Sequence, residues 1–117
     1  MNNNPAVASL LRAERVLKAT LAALNLPVRG SYSNKEVCSI LGIGTATFWR
    51  MIRAYGRDEN GRLLRSESLD SFVLSSHRRV NYVELLDFIR RNNSLEREIA
   101  QNVADRLKPY ERGQTDQ

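Results

Sequence analysis

Ser33-Asn34-Lys35-Glu36-Val37-Cys38-Ser39-Ile40-Leu41-Gly42-Ile43-Gly44-Thr45-Ala46-Thr47-Phe48-Trp49-Arg50-Met51-Ile52-Arg53 reads as two short helices and the turn between them. Ser33 and Glu36 have capping-box spacing: the serine hydroxyl accepts from the Glu36 amide, and the glutamate reaches back. Val37, Ile40 and Leu41 supply an apolar face, and Gly42 ends the first helix. The second is expected from Thr45 to about Tyr55. Phe48, Met51 and Ile52 would point inward, with Thr45, Ala46, Trp49, Arg50 and Arg53 nearer the outside. Cys38 is small enough for the crossing, and Gly42 can take the positive φ that a tight turn needs.

Outward from this pair, Pro5 to Leu24 reads as a helix opened by an asparagine cap, with Leu10, Leu11, Leu17, Leu21 and Leu24 at helical spacing. Arg12, Arg15 and Lys18 would line its other side. Asn25, Pro27 and Gly30 break it. Downstream, Asp58-Glu59-Asn60-Gly61 is a turn signal, and Leu63-Leu64-Arg65 and Leu69 to Leu74 are ambiguous, with some strand character. Ser75-Ser76-His77 is expected as a tight loop and Arg78-Arg79-Val80 as a returning strand, giving a small β-hairpin. Asn81 with Glu84 repeats a cap pattern before a helix whose buried stripe would be Val83, Leu85, Leu86 and Ile89, with Phe88. Ser94 to Pro109 should form a C-terminal helix, with Leu95, Ile99, Val103 and Leu107 in register, followed by a loose tail at 110–117.

The 117 residues fit one modest core. Met1-Asn2-Asn3-Asn4-Pro5 lacks the basic start and apolar run of a signal peptide, and apolar stretches are far short of the roughly 20 residues that span a bilayer. A cytoplasmic, soluble protein without a membrane partner is expected. A single Cys38 and a single His77 argue against an internal disulfide or a metal site. No nucleophile–base pair, Gly-rich phosphate loop or spaced carboxylate cluster is visible, so neither catalysis, a cofactor nor a small-molecule substrate is expected. The formal net charge is +5, which favours a polyanionic partner. The excess sits in the first third and in the middle. Lys35, Arg50 and Arg53 face only Glu36 within 31–56, and Arg78, Arg79, Arg90 and Arg91 face Glu84 and Asp87 within 71–93.

Two helices joined by a glycine-containing three-residue turn follow the helix-turn-helix plan. A rigidly held second helix can place its exposed side chains in a major groove about 12 Å wide. The stretch from Lys35 to Arg53 resembles the helix-turn-helix of the excisionase and MerR-like winged-helix superfamily. Leu74 to Val80 and Asn81 to Ile89 resemble that family's basic wing and following helix. The resemblance implies a mainly α fold with a small β-hairpin: a winged helix-turn-helix DNA-binding domain over 31–93, with an extra amphipathic helix at 1–30 and another at 94–109. It implies double-stranded DNA as partner, and a role as transcription regulator or excisionase-like recombination accessory factor of bacterial, phage or other mobile-element origin. Thr45, Thr47, Trp49, Arg50 and Arg53 would then lie on the recognition helix, and Ser76, His77, Arg78 and Arg79 on the wing. Two departures stand out. Gly44 replaces the family's usual capping serine, and the connection from Arg53 to Phe72 is longer than usual. A homodimer through a terminal helix stays open, as does an alternative function: a protein-interaction adaptor of a phage or plasmid assembly that keeps the winged fold.

Overall fold

The computed structural model describes residues 4–92. In order they form α1 (Pro5–Ala23), β1 (Ser31–Ser33), α2 (Asn34–Leu41), α3 (Thr45–Ala54), β2 (Phe72–Leu74), β3 (His77–Asn81) and α4 (Tyr82–Arg91). Four helices surround a small antiparallel sheet of order β1-β3-β2. The expected helix over 94–109 and tail over 110–117 lie outside the described residues. No described helix is long and apolar enough to cross a membrane.

α1 starts where an asparagine cap and a proline place it: the Asn4 side chain accepts from the Ala6 amide, and Pro5 has no amide to leave unpaired. It ends at Asn25, whose φ of 57° is left-handed, while the Leu26 and Asn25 amides return to the Leu21 and Ala22 carbonyls. This double return closes the helix without a glycine. Its buried row is Ser9, Ala13, Leu17 and Leu21, one residue from each successive turn. The expected leucine stripe is therefore corrected: Leu17 and Leu21 are in the core, but Leu10, Leu11 and Leu24 are exposed. The row that meets α4 begins with two small residues, which let the helices approach closely but carry no hydrophobic signal in sequence.

β1 is a strand the sequence reading did not contain. Tyr32 faces Val80 across the ladder, both fully buried. The Tyr32 hydroxyl donates to the Pro27 carbonyl and accepts from the Arg29 amide, each at 2.8 Å, so a buried polar group is satisfied. The hairpin β2–β3 turns at Ser75 and Ser76, with φ of 52° and 69°, the pattern of a two-residue type I′ turn. His77 is thus the first residue of β3, paired with Leu74, and not part of the loop.

The core gathers Leu17 and Leu21 of α1, Tyr32 of β1, Val37 and Ile40 of α2, Phe48 of α3, Val80 of β3, Leu85 of α4 and Leu69 of the connection. Two expectations for α4 change. Val83 is 71% exposed rather than part of the stripe, and Tyr82 packs against the core in its stead, while Leu86, Phe88 and Ile89 pack beside Leu85 as expected. Asn81 precedes the helix but its side chain makes no cap hydrogen bond. Glu84 is drawn elsewhere, accepting from the Asp70 amide and from Arg91, each at 3.0 Å.

Candidate functional site

The capping box at Ser33 forms in full. The Ser33 hydroxyl accepts from the Glu36 amide at 3.2 Å, and the Glu36 carboxylate accepts from the Ser33 amide at 2.9 Å. Arg29 joins with two further bonds, at 2.6 and 3.3 Å. The Arg29 hydrogen bonds hold the Glu36 carboxyl below its ordinary range against the opposing effect of burial, and Arg29 is correspondingly raised. At the far end Gly42 is left-handed (φ 67°, ψ 39°), and the Ile43 amide returns to the Cys38 carbonyl at 2.9 Å. Cys38 sits half-buried under this turn; burial pushes its thiol up, so it packs as an uncharged side chain. α3 begins at Gly44 with no side-chain cap, as expected from the missing serine.

Phe48 is the one fully buried residue of α3, with Met51 and Ile52 half-buried beside it. The opposite side therefore carries Ala46, Arg50 and Arg53, all exposed; at 3.6 residues per turn the two arginines point about 60° apart. Arg53 makes no hydrogen bond or ion pair among the described residues. Arg50 reaches only the Thr47 hydroxyl, at 3.4 Å. Other arginines differ: Arg29, Arg90 and Arg91 each hold a carboxylate at 3.0 Å or less.

Two grooves flank α3. On one side Trp49 stands edge-on to Phe48, with ring centroids 5.2 Å apart, and Arg78 lies 5.9 Å over the indole. This stack joins α3 to the hairpin at the surface, above the core that Phe48 and Val80 share. Ser76, His77, Arg78 and Arg79 line the groove with Trp49. Ser33 and Asn34 at the start of α2 complete it, and the sequence reading did not include them. A helix start keeps amide N–H groups beyond those its cap satisfies, but only the sheet brings this one beside the wing. On the other side Thr47 and Arg50 line a groove of about 590 Å³ together with Arg65, Glu67 and Phe88. Thr45 is exposed at the first turn.

The sequence-derived residues are thus divided. Trp49, Ser76, His77, Arg78 and Arg79 share the hairpin-side groove, Thr47 and Arg50 the opposite one, and Arg53 lies on the outer face. Engagement also differs among them. Arg79 is spent across the sheet, donating to the Ser31 hydroxyl at 2.8 Å and the Ser31 carbonyl at 3.1 Å. Arg78 donates to the Ser71 hydroxyl at 3.1 Å. His77 is exposed. Among the described residues no group of three His, Cys, Asp or Glu side chains could hold a metal ion. No family model matches the chain, and neither the curated proteins nor the solved structures compared with it give a match.

Proposed function

We propose that this chain is a winged helix-turn-helix protein that binds double-stranded DNA. Its role would be that of a transcription regulator or an excisionase-like recombination accessory factor. One observation carries the reading: α3 presents Arg50 and Arg53 to solvent without a carboxylate partner among the described residues, while the arginine-bearing hairpin is docked against the same helix through Trp49. In this reading α3 enters the major groove, where an arginine on a guanine edge contributes roughly 1–3 kcal/mol of discrimination. The hairpin follows the adjacent backbone. The protein acts by occupying a site, and no bond is made or broken.

Affinity then comes mainly from phosphate neutralisation. With about six contacts the log–log dependence of affinity on salt has a slope near −5. Duplexes selected by gel shift from a random pool, titrated at several salt concentrations, provide the test. Replacing both Arg50 and Arg53 with alanine should abolish selection while leaving the melting temperature unchanged, because neither side chain holds another element in place. A flat salt response of the wild-type protein overturns the reading.

A protein-binding adaptor is the second reading, and the exposed Val73 and Leu74 on the free edge of the sheet favour it. Selection unaffected by the double alanine variant would support it.

A further inference from the structure

Positions 55–71, between α3 and β2, contain no regular element beyond a single bridge between Arg57 and Leu63. A connection this long in a compact unit is usually a functional loop, and here it is tied down at several points. The Asp58 carboxylate accepts from the Asn60 and Arg62 amides at 2.8 and 2.9 Å, and the Leu64 amide donates to the Gly56 carbonyl at 2.9 Å. Leu69 is fully buried and its amide donates to the Met51 carbonyl of α3. Arg91 donates to the carbonyls of Ser66 and Ser68, and the Ser68 hydroxyl closes onto the Arg65 carbonyl at 2.7 Å. Arg65 is held between these anchors with an exposed side chain that has no acid partner among the described residues. It lines, with Thr47 and Arg50, the groove on the side of α3 away from the hairpin.

An α-helix with its side chains is about 10–12 Å across, and the major groove is about 12 Å wide. A helix that fills the groove therefore has one sugar–phosphate backbone on each flank. The hairpin occupies the Trp49 flank. We infer that Arg65, with Thr47 and Arg50, forms a second phosphate-binding edge on the opposite flank, so that α3 is bracketed by contacts to both DNA strands. This rests on the DNA-binding reading above and assigns the long connection a role in it. Glu67 lines the same groove and opposes a phosphate there.

The test uses the full chain on a selected duplex, with affinity measured against salt and hydroxyl-radical footprints taken on each strand. Arg65→Ala should weaken binding several-fold, make the salt slope shallower by about one, and lose protection on one strand only. Arg65→Lys should keep the wild-type slope, since a point charge suffices for a phosphate. Glu67→Gln should tighten binding, which separates a local charge effect from a folding defect that would weaken both variants. If Arg65→Ala leaves affinity, slope and footprint unchanged while Arg53→Ala weakens binding, the second edge is overturned and the DNA reading stands. Weaker binding by Glu67→Gln also overturns the second edge. If the wild-type protein shows no salt-dependent binding, both fall together.

Discussion

Arg91 shows how one side chain near the end of a helix can fix a distant loop. Its side chain is only 10% exposed and bonds to Glu84, Asp87 and the carbonyls of Ser66 and Ser68. Removing it takes one donor from each of these four acceptors. Glu84, Asp87 and the Ser66 carbonyl keep the Asp70 amide, Arg90 and Asn92, while the Ser68 carbonyl keeps none among the described residues, so Arg91→Ala should cost about 2–3 kcal/mol in urea unfolding. Lysine should recover little of this, because one ammonium cannot serve partners spread around a planar fork. Glu36 makes a different prediction. Its folded carboxyl is held below the ordinary glutamate value of about 4.3. Its contribution to stability is therefore complete above that value and is lost as pH falls through the lower, folded one. The stability gap between wild type and Glu36→Gln should be constant near neutrality and narrow in acid, read from melting temperatures across pH. Asp87 acts in the same direction: burial alone would raise it, but the hydrogen bonds of Arg90 and Arg91 bring it down. The Ser33–Glu36 box was legible because both partners lie in four residues. The Arg91 clamp was not, because its carbonyl partners, Ser66 and Ser68, lie more than twenty positions upstream and only the folded connection brings them close.

Among the elements, those with strong local chemistry stand where the sequence puts them. Asn4-Pro5, Ser33 with Glu36, and Gly42 mark helix boundaries whose signals lie in neighbouring residues. The elements that escaped depend on distant partners. Ser31-Tyr32-Ser33 is too short to show an alternation, and it is a strand only because β3 lies beside it. The Asn81–Glu84 pattern matched a cap, yet Glu84 found a stronger donor in Arg91. Only part of the candidate interface was legible for the same reason: periodicity placed Arg50 and Arg53 outside, but not the flank each one faces. The hairpin supplies the test at this scale. Ser75 and Ser76 both occupy left-handed φ, which side chains with a Cβ tolerate poorly and Asn-Gly tolerates well. Replacing the pair with Asn-Gly should stabilise the protein by about 1 kcal/mol in thermal or urea unfolding.

Across the whole molecule, the connection does more than link α3 to the sheet. Leu69 enters the core beside Phe48 and Leu85, so the segment that carries Arg65 is also part of the hydrophobic interior. Leu69→Ala should cost about 2–5 kcal/mol by leaving a cavity, and hydrogen exchange should rise across 55–71 more than in α1. The charge excess read from sequence is distributed accordingly, since the arginines of α4 are consumed by carboxylates while those of α3 meet none among the described residues. Should the chain pair on DNA, equivalent bases in the two halves of its site should recur about 34 Å apart, a spacing that footprinting reads directly.

Ser33 ends β1 and also caps α2, with no residue between the two roles. A single insertion at 31–33 would turn Tyr32 from the interior to the surface and, in the same stroke, uncouple α2 from its starting point. Sheet and helices are thereby geared together through three residues. The hairpin cannot tilt without carrying α2 along, and a design that retargets the outer face of α3 inherits a mount whose angle is already set.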